Sequence, residues 1–213
     1  MQTKNITVIG AGIVGIATAS YLRRDGHVVT VVDQRPPGEY CSFGNAGILS
    51  PGSCVPIAMP GILKQVPGYL LDPLGPLALR WSYLSRAMPW LLRFVANADV
   101  KRVERIADGL RALLVQTFDA YAPLVQNAGV ESLIHKSGYV VVYSTRRAYE
   151  GDALAWQLRR DRGVVIDELD AAGIKRHLPG LHGDYQVGLF LHDHGWCANP
   201  ERLTKSLAAQ FER

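Results

Sequence analysis

The 213 residues are 48% hydrophobic, enough to build a core, so the chain is globular rather than disordered. Its net charge of +4 comes from 23 basic and 19 acidic residues that are interspersed, without the basic stripe and interleaved aromatics of a nucleic-acid binder. Three cysteines, Cys41, Cys54 and Cys197, have neither CxxC nor metal-ligand spacing; the odd count argues against a disulfide framework and for reduced thiols in a cytosolic protein.

Lys4 and the apolar run after it have the outline of a secretory signal, with Ala17-Thr18-Ala19 resembling a cleavage site. Gly10, Gly12 and Gly15 interrupt that run, and the pattern past Ala19 continues into a helix and a further strand, so the segment is read as structure. It is also too short and glycine-rich to span a bilayer. NITVIG is a β-branched strand, GAGIVG a G-x-G-x-x-G turn, and IVGIATASYLRRDGH has apolar residues at helical spacing up to a stop at Gly26. VVTVV is a second buried strand that ends at Asp33, 18 residues beyond the last glycine of the turn.

That context makes the turn a dinucleotide-binding fingerprint. Gly10 allows the tight turn, Gly12 lets backbone approach a pyrophosphate, and Gly15 lets the helix pack closely on the sheet. The helix N-terminus offers unpaired N–H groups and a positive dipole end to the phosphates. Asp33 can accept hydrogen bonds from the adenosine ribose hydroxyls and repels a 2′-phosphate. The fingerprint suits NAD and FAD equally. A typical NAD domain soon forms a second crossover helix and a third parallel strand, whereas QRPPGEYCSFGNAGILSPG has no helical period between Gln34 and Pro56. Such a loop of small residues suits a larger cofactor, with backbone passing along a flat ring system.

From Ser53 to Val95 prolines are frequent, and the stretch Trp81–Phe94 is apolar with sparse arginines. On a helical wheel Ser82, Ser85, Arg86 and Arg93 share one side and Trp81, Leu84, Met88 and Leu91 the other, with Pro89 expected to kink or restart the helix. The stretch reads as a helix packed on a substrate domain, or as a membrane-surface helix. Residues 99–129 read as one long amphipathic helix stopped at Gly129. GYVVVYST and YQVGLFLHD are strands; between them AYEGDALAWQLRRDRG reads as helix and DELDAAGIKRHLPGL as helix then turn. Asn199 is a good N-cap and Pro200 a good first residue for a last helix.

His192, Asp193 and His194 alternate in direction along a strand end, so they do not form a metal site, and His177 and His182 read as surface turn residues. Tyr83, Tyr139 and Tyr143 suit a core more than a pocket.

VIGAGIVGIATASYLRRDGHVVTVVDQ followed by FGNAGILSPG resembles the FAD-dependent amine and amino-acid oxidoreductases of the D-amino-acid oxidase superfamily. The likeness is closest to bacterial D-amino-acid dehydrogenases and runs on through KSGYVVVYST and VGLFLHDHGWCANPERLTKSLAAQ. The resemblance implies an α/β chain: a Rossmann-like FAD-binding βαβ unit over residues 1–52, an inserted α+β substrate or cap domain over 53–198, and a helix over 199–213 returning to the FAD-binding domain, truncated at the C-terminus. It implies FAD as cofactor, held by Ile9, Gly10, Ala11, Gly12, Ile13, Val14, Gly15, Asp33, Gln34, Ser42, Asn45, Ala46 and Gly47. The N-A-G loop would run beside the isoalloxazine ring. Relatives more often have a Ser/Thr pair where Cys41 and Phe43 flank Ser42, and Cys41 is not expected to bind flavin covalently.

The implied reaction is oxidative deamination of a D-amino acid to a 2-oxo acid and ammonia, with glycine, sarcosine or hydroxyproline as alternative substrates. A further alternative is an FAD-binding subunit, or inactive remnant, that needs a partner chain. No metal and no nucleic acid is expected. The expected location is cytoplasmic, peripheral to the inner face of the membrane in contact with a quinone acceptor. Relatives bind the substrate carboxylate through an arginine; none of the arginines here is assignable to that role, and no catalytic residue is named. The 213 residues alone are therefore expected to be without significant dehydrogenase activity.

Overall fold

The computed structural model describes residues 2–72, 74–75, 77–78 and 80–213. Strand β1 (Asn5–Ile9) leads through the glycine turn into helix α1 (Ile13–Arg24). Strand β2 (Val28–Val32) returns parallel to β1, in register from Asn5↔Val28 to Ile9↔Val32. The β-branched runs favour extended backbone. Gly26, at φ +88°, ends α1, and the His27 N–H reaches back to the Leu22 carbonyl at 3.1 Å.

The segment from Asp33 to Gly61 is loop, as its composition implies, apart from an unexpected two-residue strand β3 (Ile48–Leu49). Helix α2 (Ile62–Leu71) follows, then a 3₁₀ turn (Trp81–Tyr83) that runs into α3 (Leu84–Ala96). Pro89 lies inside α3 without restarting it. Neither α2 nor α3 buries a residue. Trp81, Trp90 and Leu92 are 72%, 62% and 64% exposed, whereas Leu84 and Leu91 of the expected apolar face are half-buried. Trp90 stacks on Phe94, one turn along the same helix, at 5.2 Å.

The expected single helix over 99–129 is two: α4 (Val100–Leu114) and α5 (Thr117–Ala128). The Thr117 hydroxyl donates to the Leu114 carbonyl at the break. The halves serve different neighbours. Arg111 on α4 donates to the carbonyls of Pro51 and Arg162, whereas α5 takes the Tyr21 hydroxyl on its Ala120 carbonyl and buries Val125. One straight rod cannot meet both. Asp99 caps α4, and Gly129, at φ +64°, closes α5 as expected.

After a 3₁₀ turn, β4 (Ile134–His135) and β5 (Tyr139–Tyr143) lead to α6 (Arg146–Gly151) and α7 (Ala153–Asp161), two helices where one was expected. Residues 167–169, expected to be helical, lie instead in strand β6 (Ile166–Leu169). Asp170 accepts the Gly173 N–H at 2.7 Å and so starts helix α8 (Ala171–His177) only after the strand; His177 sits in its last turn. Strands β7 (Val187–Leu191) and β8 (Gly195–Cys197) precede α9 (Pro200–Glu212), capped by Asn199 with Pro200 at its start.

Two antiparallel sheets form, in the orders β3-β8-β4 and β5-β7-β6. One core cluster joins Ala11 and Ile16 at the start of α1 to Val125 of α5 and to Leu203, Leu207 and Ala208 of α9. The other joins Trp156 and Val164 to Val187, Leu189 and Leu191 of β7. Burial of these side chains, at roughly 25 cal/mol per Å² of apolar area, is what holds short strands in place. No helix among the described residues is long and apolar enough to cross a membrane. Nor do the described residues gather three or more His, Cys, Asp or Glu side chains that could hold a metal ion.

Candidate functional site: the glycine turn and the N-A-G loop

The turn is built from backbone. The Gly10 N–H donates to the Val32 carbonyl at 2.8 Å, tying the end of β1 to the end of β2. Gly10 has φ +111°, a conformation that side chains strain to adopt. A Cβ on Gly15 would collide with the Gly10 carbonyl oxygen, so a glycine there is what lets α1 start so close to the turn. Gly12 is the N-cap of α1 and has no side chain to close the first turn. The Ile13 N–H is instead taken by the Ser42 hydroxyl at 3.0 Å. A Cβ on Gly12 would stand 3.4 Å from that hydroxyl, in ordinary contact. Nothing among the described residues therefore demands glycine at position 12.

Asp33 is locked beside the turn. Its Oδ2 accepts the Ala11 N–H at 2.6 Å and its Oδ1 the Arg35 N–H at 3.0 Å. These two bonds hold its carboxyl below the usual range, the Ala11 bond contributing most. Each oxygen keeps a lone pair for a further donor. A cleft at this end of the strands is lined by Ile9, Gly10, Val32, Asp33 and Gln34. Val14 is 77% exposed on the first turn of α1.

The loop after β2 folds back over the turn. The Gly38 N–H donates to the Ala11 carbonyl at 3.1 Å. Lys205 on α9 pairs with Glu39 at 3.0 Å and with Glu201 at 2.7 Å; both carboxylates raise its pKa, Glu201 first. Ser42 is buried, whereas Phe43 and Tyr40 are exposed. The Asn45 amide is used within the loop: its oxygen accepts the Gly47 N–H at 2.8 Å and its nitrogen donates to the Cys41 carbonyl at 3.0 Å. Gly47 has φ +63°, a Cβ there would run into the Cys197 carbonyl, and its own carbonyl accepts the Cys197 N–H at 2.7 Å. The Asn45-Ala46-Gly47 segment is thus pinned against the end of β8.

The family described as FAD dependent oxidoreductase matches residues 5–213. The chain belongs to that family. It is 41% identical to a D-amino-acid oxidase of Bradyrhizobium diazoefficiens over 210 residues, which is 97% of this chain and 50% of the relative. It is 47% identical to D-amino acid dehydrogenase 2 of Ralstonia nicotianae over 109 residues, 51% of this chain and 26% of that relative. A glycine oxidase from Geobacillus kaustophilus shares the fold, with a TM-score of 0.60 at 15% identity over 99% of this chain and 45% of that one. The chain spans about half the length, or less, of the relatives it matches.

FAD is the cofactor of the family, and the glycine turn suits it. Gly12 keeps open a space that the protein does not need for its own packing, and it lies at a helix N-terminus where a pyrophosphate is favoured. Asp33 is fixed beside that turn, with its carboxyl held below the usual range. Of the residues expected from the sequence, those from Ile9 to Gly15, Asp33 and Ser42 gather at one place through the contacts above. Asn45, Ala46 and Gly47 lie farther along the same loop, on the β8 side.

Sequence reasoning did not anticipate the Ser42 bond to the helix start, the Gly38 closure or the part played by β8. It weighed His194 only as a metal ligand. His192 is an exposed partner of Asp167 at 2.7 Å, while His194 is fully buried, with neither ring nitrogen hydrogen-bonded among the described residues. Its ring meets Tyr139 edge-on at 4.5 Å, and a Cβ on Gly52 would lie 2.6 Å from it. Burial, with the nearby Arg159 and Arg111 charges, lowers its pKa to about 4, against a smaller opposing pull from Asp193. Tyr143, as expected, is tied into the core: Trp156 Nε1 donates to its oxygen at 2.8 Å and it donates to Asp152 at 2.7 Å. Burial and the Asp152 bond push its pKa up to about 12.

Proposed function

We propose that this chain carries the cofactor-binding turn and the substrate-domain portion of an enzyme that oxidatively deaminates D-amino acids. The observation that carries the reading is the 41% identity over 97% of the chain to a D-amino-acid oxidase, in a protein whose nucleotide turn is intact. Gly10, Gly12 and the N–H groups at the start of α1 hold the pyrophosphate, with Ser42 fixing the Ile13 end of that turn. Asp33 accepts from the ribose hydroxyls, and Ile9, Ala11, Val14 and Gln34 shape the cleft around them. Asn45, Ala46 and Gly47 run beside the ring system. When bound, FAD supplies the hydride acceptor for oxidation at Cα, and the imino acid released hydrolyses to a 2-oxo acid and ammonia. The protein contributes position, which can supply roughly 7–11 kcal/mol of a barrier. Residues 1–52 and 199–213 form the FAD side of the molecule and 53–198 the substrate side.

A second reading, an FAD-binding subunit completed by a partner chain, is favoured by the apolar residues left open around the two-stranded sheet. Ile9, Val28 and Val32 are 89%, 57% and 50% exposed, and parallel sheets are normally covered. The stretch from Trp81 to Phe94 further supports reversible contact with the inner face of a membrane, where a quinone could accept electrons. Between Asp72 and Asp99 there are three arginines and no acid, a pattern that favours an anionic lipid surface.

The test is to purify the protein, record its visible spectrum, identify the released nucleotide, and assay oxidation with an artificial electron acceptor after adding excess FAD. D-alanine is compared with glycine, sarcosine and hydroxyproline. Nicotinamide without flavin would sink the reading, and turnover of glycine or sarcosine alone would replace the substrate class. Flavin binding without turnover, restored by a second polypeptide, would establish the subunit reading.

A further inference from the structure

The β3-β8-β4 sheet lines up three side chains on one face. Ile48 lies in register with Trp196, and Trp196 with His135; directly opposed residues of antiparallel strands share a face and touch. The other face is packed, with Leu49 and Cys197 at 9% and 6% exposure. The first face is open. Ile48 is 61% exposed and Trp196 43%, and the His135 and Trp196 rings stack at 4.4 Å with 21° between their planes. The row starts at the residue that follows Gly47, so it continues the loop placed above beside the ring end of FAD. The three side chains carry no carboxylate or guanidinium, which suits neither end of a zwitterion but suits an apolar side chain. Lys136, the residue after His135, pairs with Asp193 at 3.7 Å and lies over the Phe118 ring.

We propose that Ile48, Trp196 and His135 form the wall that receives the side chain of the amino-acid substrate, and that this wall selects D-amino acids with apolar or aromatic side chains. The inference rests on the FAD-dependent amino-acid reading above and names the residues that set its substrate range. Burying apolar area against an indole is favourable, and stacking adds to it. A small side chain such as that of alanine leaves most of the wall wet.

The experiment uses the full chain loaded with FAD, kept anaerobic and pre-reduced so that no turnover occurs. D-phenylalanine and D-alanine are titrated while flavin absorbance and tryptophan fluorescence are followed; Trp196 is one of four tryptophans. D-phenylalanine is expected to bind more tightly and to change the fluorescence. Trp196→Phe should keep that affinity and lose most of the fluorescence change. Trp196→Ala should weaken D-phenylalanine about tenfold, ~1.4 kcal/mol, and leave D-alanine nearly unchanged. Ile48→Ala, which trims an exposed side chain at little cost to folding, should move the ratio in the same direction. Equal weakening of both amino acids by Trp196→Ala, or a full fluorescence change in Trp196→Phe, would overturn the wall alone. A flavin that responds to no amino acid would overturn the proposed function and the wall together.

Discussion

Replacing His194 by leucine removes an imidazole that is fully buried without a hydrogen bond to either nitrogen. Its folded pKa of about 4 lies below the ordinary 6.5. Between those values the unfolded chain binds a proton that the folded chain does not, so stability must fall as pH drops from about 6.5 towards 4. At 1.36 kcal/mol per unit, the full gap is worth about 3.4 kcal/mol, and about 2 kcal/mol is already lost at pH 5. Against a total stability of roughly 5–15 kcal/mol this is a large share. The assay is urea unfolding at pH 7.5 and pH 5, followed by tryptophan fluorescence, for the wild type and for His194→Leu. The variant should lose about 2 kcal/mol less than the wild type over that interval. At pH 7.5 it should be about as stable, because leucine is of similar size and leaves no buried nitrogen without a partner. Equal losses in the two proteins would refute the reasoning, since His194 would then be solvated or paired in the folded state.

Gly12→Val should abolish FAD retention, measured as flavin released on denaturation, while far-UV circular dichroism stays unchanged, because a Cβ at Gly12 meets only Ser42 at ordinary distance. Gly47→Ala should destabilise the protein by roughly 1–3 kcal/mol, read from urea midpoints, since it forces a side chain into φ +63° and against the Cys197 carbonyl. Wild-type protein should co-sediment with anionic vesicles, and Arg86→Glu with Arg93→Glu should leave it in the supernatant; equal recovery with and without lipid would remove the membrane contact from the proposal.

The glycine turn, α1, β2 and the acid that follows were legible in the sequence because each depends on local chemistry: β-branched runs, helical spacing, and glycines where backbone must turn or approach. The caps at Asn199 and Gly129 were legible for the same reason. Elements that depend on a distant partner were not. β3, β4 and β8 are two or three residues long, too short to have a period, and exist because β8 pairs with β3 across nearly 150 residues of chain and with β4 across about 60. Residues 167–169 read as the start of a helix, and pairing with β7 is what makes β6 extended. The break between α4 and α5 was invisible because both halves are amphipathic; what divides them is that each docks on a different neighbour. For the site, the sequence alone marked the glycine turn and Asp33 as candidates for holding a dinucleotide. Tertiary contacts decided how they act: Ser42 reaches the helix start, β8 pins the N-A-G loop, and His194 is sealed in without a partner. Such contacts arise only when segments far apart in the chain bury their apolar faces together, and no local pattern records which of them will meet.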